Sequence, residues 1–181
     1  MVFPKELPAR EHFILLQITA LALFDTLSEY TDGISIKWPN DIYWMDKKIC
    51  GTLIENDLSG MNIERSISGT GVNLNQKIFR SDAPNPVSLS QITGQEYDIE
   101  AVLHKIMNSA SDYYHMYENG KSDIIRKKYF DAIYRKDGFH KYKDDNGTFD
   151  ATIEDIEKDG RLVLKDREGN VRKYLFKEVS Y

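Results

Sequence analysis

Ile34-Ser35-Ile36-Lys37-Trp38 alternates apolar and polar residues and is rich in β-branched side chains, so it predicts a strand. Pro39-Asn40 breaks that strand at once. Asp41 to Met45 and Lys48 to Asn56 then predict a hairpin that turns at Asp46-Lys47. Ile63 to Asn75 predicts a further strand with Gly69 and Gly71 inside it. A glycine in a strand gives up packing, so it marks a bulge or a close approach of something to the backbone.

Upstream of these strands, Phe13, Leu16, Ala20, Leu23, Phe24 and Leu27 fall at helical spacing. Ile14, Ile18 and Leu21 widen the stripe, so a largely buried helix is expected from Pro8 to Tyr30, stopped by Gly33. Downstream, a loop with two prolines is expected from Arg80 to Pro86. Ser88 and Gln91 have capping-box spacing ahead of Gly94, which predicts a one-turn helix. Two longer helices are expected, from Asp98 to Asn119 and from a Ser122 cap to Lys136. The character changes after Gly138. Turn signals at Asp145-Asn146-Gly147, Lys158-Asp159-Gly160 and Arg167-Glu168-Gly169-Asn170 separate short strands at Thr148 to Ile156, Arg161 to Asp166 and Val171 to Phe176. The expected class is α+β: a mixed, largely antiparallel sheet with helices on one side over residues 1–138, then a small barrel over 139–181. So short a barrel should dock on the first unit.

Composition limits the functions. The chain has 181 residues, 41% hydrophobic and 29% charged, which fits one globular domain with an appendage rather than a disordered chain. A net charge of −5 argues against a phosphate-backbone binder, and no nucleic-acid partner is expected. No stretch approaches the about 18 apolar residues of a membrane span, and the N-terminus does not read as a signal peptide. A cytoplasmic protein is expected. Cys50 alone excludes an internal disulfide, and His12, His104, His115 and His140 are scattered, so no metal site is expected.

Lys37 ends its strand beside a Trp and an enforced break, which aims a point charge that can bridge a carboxylate and a phosphate. The alternative is a lysine whose stem covers the sheet while its head stays in water. In Ser68-Gly69-Thr70-Gly71-Val72-Asn73-Leu74-Asn75, two glycines let a ligand touch the main chain, and Asn73 offers a donor and an acceptor suited to a nucleobase edge. The alternative is a bulged strand with satisfied amides. Gly51 again permits close approach, and Cys50 reads as a small core residue. The basic run from Arg126 to Lys143 reads as a solvated face.

Taken in order, Lys37-Trp38-Pro39-Asn40-Asp41-Ile42, Lys48-Ile49-Cys50-Gly51-Thr52-Leu53-Ile54-Glu55 and Ser68-Gly69-Thr70-Gly71-Val72-Asn73-Leu74-Asn75 resemble the biotin–protein ligase family. The first motif is highly specific to it. The resemblance implies a catalytic core like that of class II aminoacyl-tRNA synthetases and an SH3-like terminal β-barrel. It implies a two-step reaction with ATP and Mg2+. Biotin becomes biotinyl-5′-AMP, then passes to one lysine of a biotin carboxyl carrier protein. Lys37 matches the lysine that touches both the biotin carboxylate and the phosphate, and Asn73 matches the asparagine that hydrogen-bonds adenine. Ile42 would pack on the ligand's apolar surface, Trp38 would be a pocket wall, and Asn40 belongs to the same binding motif. Gly51, Gly69 and Gly71 would let the ligand lie against the sheet.

The family also carries a basic Gly-Arg-rich loop upstream of the first helix, and nothing in residues 1–181 matches it. The expectation is therefore a chain that starts inside the catalytic domain and ligates slowly or not at all by itself, since the loop supplies charge and excludes water. A bare sheet edge would invite pairing into a homodimer. Two alternatives stay open: a non-catalytic binding module, and a ligase for lipoate or another cofactor acid.

Overall fold

The computed structural model describes residues 1–4, 6–80 and 85–181. Part of the expected proline loop, residues 81–84, lies outside them. The strands β1 (Ile34–Lys37), β2 (Asp41–Trp44), β3 (Lys47–Ser59) and β4 (Asn62–Val72) pair in chain order as one antiparallel sheet. The β2–β3 turn sits at Met45-Asp46, one residue earlier than expected, with Met45 at a left-handed φ of 51°. β4 ends at Val72 rather than Asn75: the Asn73 N–H still donates to the Ile49 carbonyl on β3, but the Asn73 and Leu74 carbonyls turn to accept from the Leu89 and Ser90 N–H groups.

Pro8 opens a 3-10 turn at Ala9–Glu11, and α1 begins later, spanning Phe13–Ser28. Three more helices follow: α2 (Leu89–Thr93), α3 (Ile99–Glu118) and α4 (Ser122–Asp131). α1 packs on the sheet on one side and on α3 and α4 on another. A helix covered in this way must be apolar almost all round, as its sequence is. One polar knot ties the three helices: Tyr113 Oη donates to Asp25 at 2.6 Å and accepts from Lys128 Nζ at 3.2 Å. Ser88 caps α2 in a full capping box, and Gly94 stops it at a φ of 75°. Asp98 caps α3.

Both limits of α4 also differ from expectation. Ser122 is the first residue of α4 and not its cap, and Lys121 at the cap position makes no side-chain bond. α4 stops at Asp131 rather than Lys136. The chain there leaves the helix to extend the sheet: Ile36 N–H donates to the Ala132 carbonyl at 2.8 Å, and Tyr134 N–H donates to the Ile36 carbonyl at 2.9 Å. This is a parallel bridge between Ile36 and Ile133 beside β1.

Residues 140–174 form a second antiparallel sheet, β5 (His140–Asp144), β6 (Gly147–Ile156), β7 (Leu162–Asp166) and β8 (Val171–Tyr174), again in chain order. β5 was not expected, because His140-Lys141-Tyr142-Lys143-Asp144 carries charge where a strand signal would carry β-branched residues. The expected closed barrel is not found among the described residues. The sheet is open, although Ser180 returns to bridge Lys143 on β5. One hydrophobic cluster runs from α1 and the first sheet through Tyr129 and Tyr142 to Leu164. No helix among the described residues is long and apolar enough to cross a membrane.

Candidate functional site

Register decides what the first sheet can present. Lys37 lies opposite Asp41, Asp41 opposite Gly51, and Gly51 opposite Gly71. Opposed residues in a sheet share a face, so these four form one row across all four strands. The adjacent row is Ile36, Ile42, Cys50 and Val72, which point to the other face, toward α1. Lys37, Gly51, Gly69, Gly71 and, by alternation, Asn73 thus belong to one face.

That face is shaped by its glycines. A Cβ on Gly69 or Gly71 would meet nothing within 4 Å, so the surface of β4 there is bare backbone. Gly51 is different. A Cβ there would come 3.0 Å from Asp41 Oδ1 and 3.1 Å from Lys48 Nζ. Those two atoms belong to the Asp41–Lys48 ion pair, 2.7 Å apart, which lies over Gly51. The row therefore carries a paired charge at its centre, a cation at one end and open backbone at the other.

Lys37 is half-buried at the end of β1. Burial pushes its ammonium below the ordinary lysine value; Asp41 opposes this, and Arg135 and Lys48 add to it. Its Nζ donates to Tyr43 Oη at 3.2 Å and lies 4.9 Å from the Tyr43 ring centroid and 4.8 Å from that of Tyr181. Burial likewise raises the Tyr43 phenol. Cys50 is a buried thiol pushed up to about 12, mainly by desolvation, so it is inert at neutral pH.

The other expected site residues sit elsewhere. Trp38 is buried against the second sheet: its Nε1 donates to the Gly160 carbonyl at 2.9 Å, and its ring meets Phe176 edge-on at 6.3 Å. Its environment is that of an anchor between the two units. Ile42 is fully buried in the core row behind the sheet. Asn40 knits the break to β3, its Nδ2 donating to the Thr52 carbonyl at 2.6 Å. Asn73 Nδ2 donates to the Val87 carbonyl at 3.2 Å. Reading the sequence missed Tyr43 and Tyr181. Tyr43 was within reach, being on the same face as Lys37 by strand alternation, whereas nothing local points from Lys37 to Tyr181.

The even-numbered residues of β4 face the other way. Ser66, Ser68, Thr70 and Val72 line an apolar cavity of about 500 Å³ beneath α1 and α3, with Ile18 and Ile106 among its walls. Thr70, the polar residue between the glycines, hydrogen-bonds there with Thr52 at 3.1 Å. Among the described residues no group of three or more His, Cys, Asp or Glu side chains is placed to hold a metal ion.

No protein-family model matches the chain. Among curated proteins it is 27% identical over 176 residues to the bifunctional ligase/repressor BirA of Bacillus subtilis, covering 93% of this chain and 53% of that protein. It is 34% identical over 93 residues to the biotin–[acetyl-CoA-carboxylase] ligase of Paracoccus denitrificans, covering 48% of this chain and 39% of that one. The chain thus spans about half the length of the BirA relatives it matches. Among solved structures, biotin protein ligase from Aquifex aeolicus in complex with biotin and ATP superposes with a TM-score of 0.73 at 25% identity, over 93% of this chain and 70% of that chain. A biotin protein ligase-like protein of unknown function from Silicibacter gives 0.75 at 9% identity over 95% of this chain and 74% of that one, a likeness of fold alone.

Proposed function

We propose that the chain is a member of the biotin protein ligase family, a reading its similarity to curated biotin ligases and to a solved biotin protein ligase supports, and that its first sheet carries the site of a two-step biotin ligase. In the first step a biotin carboxylate oxygen attacks the α-phosphorus of ATP, and the bond to pyrophosphate breaks. In the second, a carrier-protein lysine amine attacks the acyl carbon, and AMP leaves. Two anions must approach each other in the first step, so a fixed cation between them lowers the barrier. Lys37 is that cation in this reading. Gly69 and Gly71 let the adenylate lie on bare backbone, Gly51 makes room for the Asp41–Lys48 pair, and Asn73 meets the base edge. Mg2+ arrives with the nucleotide. The observation that carries the proposal is the row Lys37, Asp41, Gly51, Gly71, which sets the Lys37 cation and the open backbone of Gly71 on the same face.

The finer architecture goes with this reading. Residues 1–138 are taken as a class II synthetase-like catalytic part and 139–181 as an SH3-like domain. The acceptor is a biotin carboxyl carrier protein, and the enzyme works in the cytoplasm, where a homodimer is a further expectation. Trp38, Asn40 and Ile42 support the site from behind rather than touch the ligand, as their buried or backbone-bonded positions suggest.

The test is transfer of radiolabelled biotin to a carrier domain, with biotin adenylate formation followed separately. Adenylate should form slowly in the wild-type chain and fall at least about 100-fold further in Lys37→Gln with circular dichroism unchanged. Equal adenylate from both chains would remove Lys37 from the chemistry. Adenylate from lipoate and none from biotin would reassign the substrate.

A further inference from the structure

We propose that Tyr181 is a positioning residue for Lys37: its ring and that of Tyr43 form a clamp that fixes the ammonium at the head of the glycine row. The inference rests on the reading of Lys37 as the site cation and deepens it.

A lysine side chain has four rotatable bonds, so a lysine that must hold one position needs partners. Lys37 has no carboxylate partner among the described residues. Its neighbour Asp41 is bonded to Lys48 at 2.7 Å instead. What surrounds Nζ is aromatic: the Tyr181 centroid at 4.8 Å, the Tyr43 centroid at 4.9 Å and the Tyr43 hydroxyl at 3.2 Å. A half-desolvated ammonium between two ring faces is attracted by both quadrupoles. The charged groups that act on it are Asp41, Arg135 and Lys48.

Tyr181 is itself held from the second sheet. Ser180 and Lys143 exchange two backbone hydrogen bonds of 2.9 Å, and the Tyr181 ring packs on Tyr142 at 5.2 Å and Tyr134 at 6.2 Å. Its hydroxyl is buried and has no hydrogen-bond partner among the described residues. The hydroxyl therefore contributes nothing to the clamp; the ring is the working part. One jaw of the clamp comes from the first sheet and the other from the second.

The experiment is acetylation of the full chain with acetic anhydride at pH 7, with the rate at each lysine read by peptide mass spectrometry and Lys77 as the exposed reference. Tyr181→Phe keeps the ring, so Lys37 should be acetylated at the wild-type rate. Tyr181→Leu keeps apolar bulk without a π face, so Lys37 acetylation should rise several-fold relative to Lys77. Wild-type labelling in Tyr181→Leu, or raised labelling in Tyr181→Phe, overturns the clamp. Biotin adenylate formation gives the second readout. Tyr181→Leu should lose about tenfold in kcat with little change in KM, and Tyr181→Phe should rescue it. Unchanged kcat in Tyr181→Leu removes the positioning role. If no form makes adenylate while the labelling pattern holds, the ligase reading fails and the clamp stands.

Discussion

At the scale of single residues, two glycines on one face carry opposite expectations. Gly51 lies under an ion pair, so Gly51→Ala forces Asp41 and Lys48 apart and should cost about 1–3 kcal/mol. Gly71 faces open space, so Gly71→Ala should leave stability within about 0.5 kcal/mol of wild type while blocking the ligand. Urea denaturation, set beside the rise in Tm on adding biotin and ATP, separates the two. Gly51→Ala should lower the midpoint, whereas Gly71→Ala should keep the midpoint and lose the ligand-induced rise. A normal ligand response in Gly71→Ala would move the site off β4. Much of this face was legible in the sequence, because strand alternation alone puts Gly69, Gly71 and Asn73 together. Ile42 was not. It follows Asp41 in the same motif, and adjacent strand residues point to opposite faces, so the motif splits between the site and the core.

At the scale of elements, Asp166 organises the turn between β7 and β8. Its carboxylate accepts from the Glu168 and Asn170 backbone N–H groups, from the Asn170 side chain and from Arg172 at 3.0 Å. Burial pushes its acid up, but the Asn170 and Arg172 bonds outweigh that and hold it at about 2. A carboxyl lowered on folding stabilises the fold above its ordinary pKa of about 4 and loses that contribution as pH falls through the folded value. Thermal melts should thus weaken between pH 4 and pH 2, and Asp166→Asn should be less stable at pH 7 with a flatter slope in that window. An unchanged slope would place the acid sensitivity elsewhere. The turn itself was readable from Arg167-Glu168-Gly169-Asn170. The end of α4 was not, because helical periodicity continues past Asp131 and only the pairing of residues 132–134 with Ile36 explains the stop.

At the scale of the whole molecule, the two sheets meet at a small set of close contacts. Gly160 has a φ of 93°, its carbonyl accepts from Trp38 Nε1, and a Cβ there would come 2.6 Å from the Phe13 ring. Gly160→Ala combines backbone strain with a clash against a ring on α1, so a loss of about 1–3 kcal/mol or more is expected. Scanning calorimetry should then resolve two transitions where the wild type has one. A single transition at the wild-type temperature would mean that this junction does not couple the sheets. Sequence alone announced Gly160 as a turn residue; its second duty depends on Phe13, which no local pattern links to it. The same junction fixes an order of events during synthesis. Trp38 waits for a carbonyl 122 residues later in the chain, and Lys37 waits for the ring of Tyr181. Contacts of such long range form late. The first sheet can be made and paired while the protein is still being translated, yet its lysine is set only after the second sheet has left the ribosome. A nascent or prematurely ended chain would hold the glycine row without the Tyr181 ring beside Lys37.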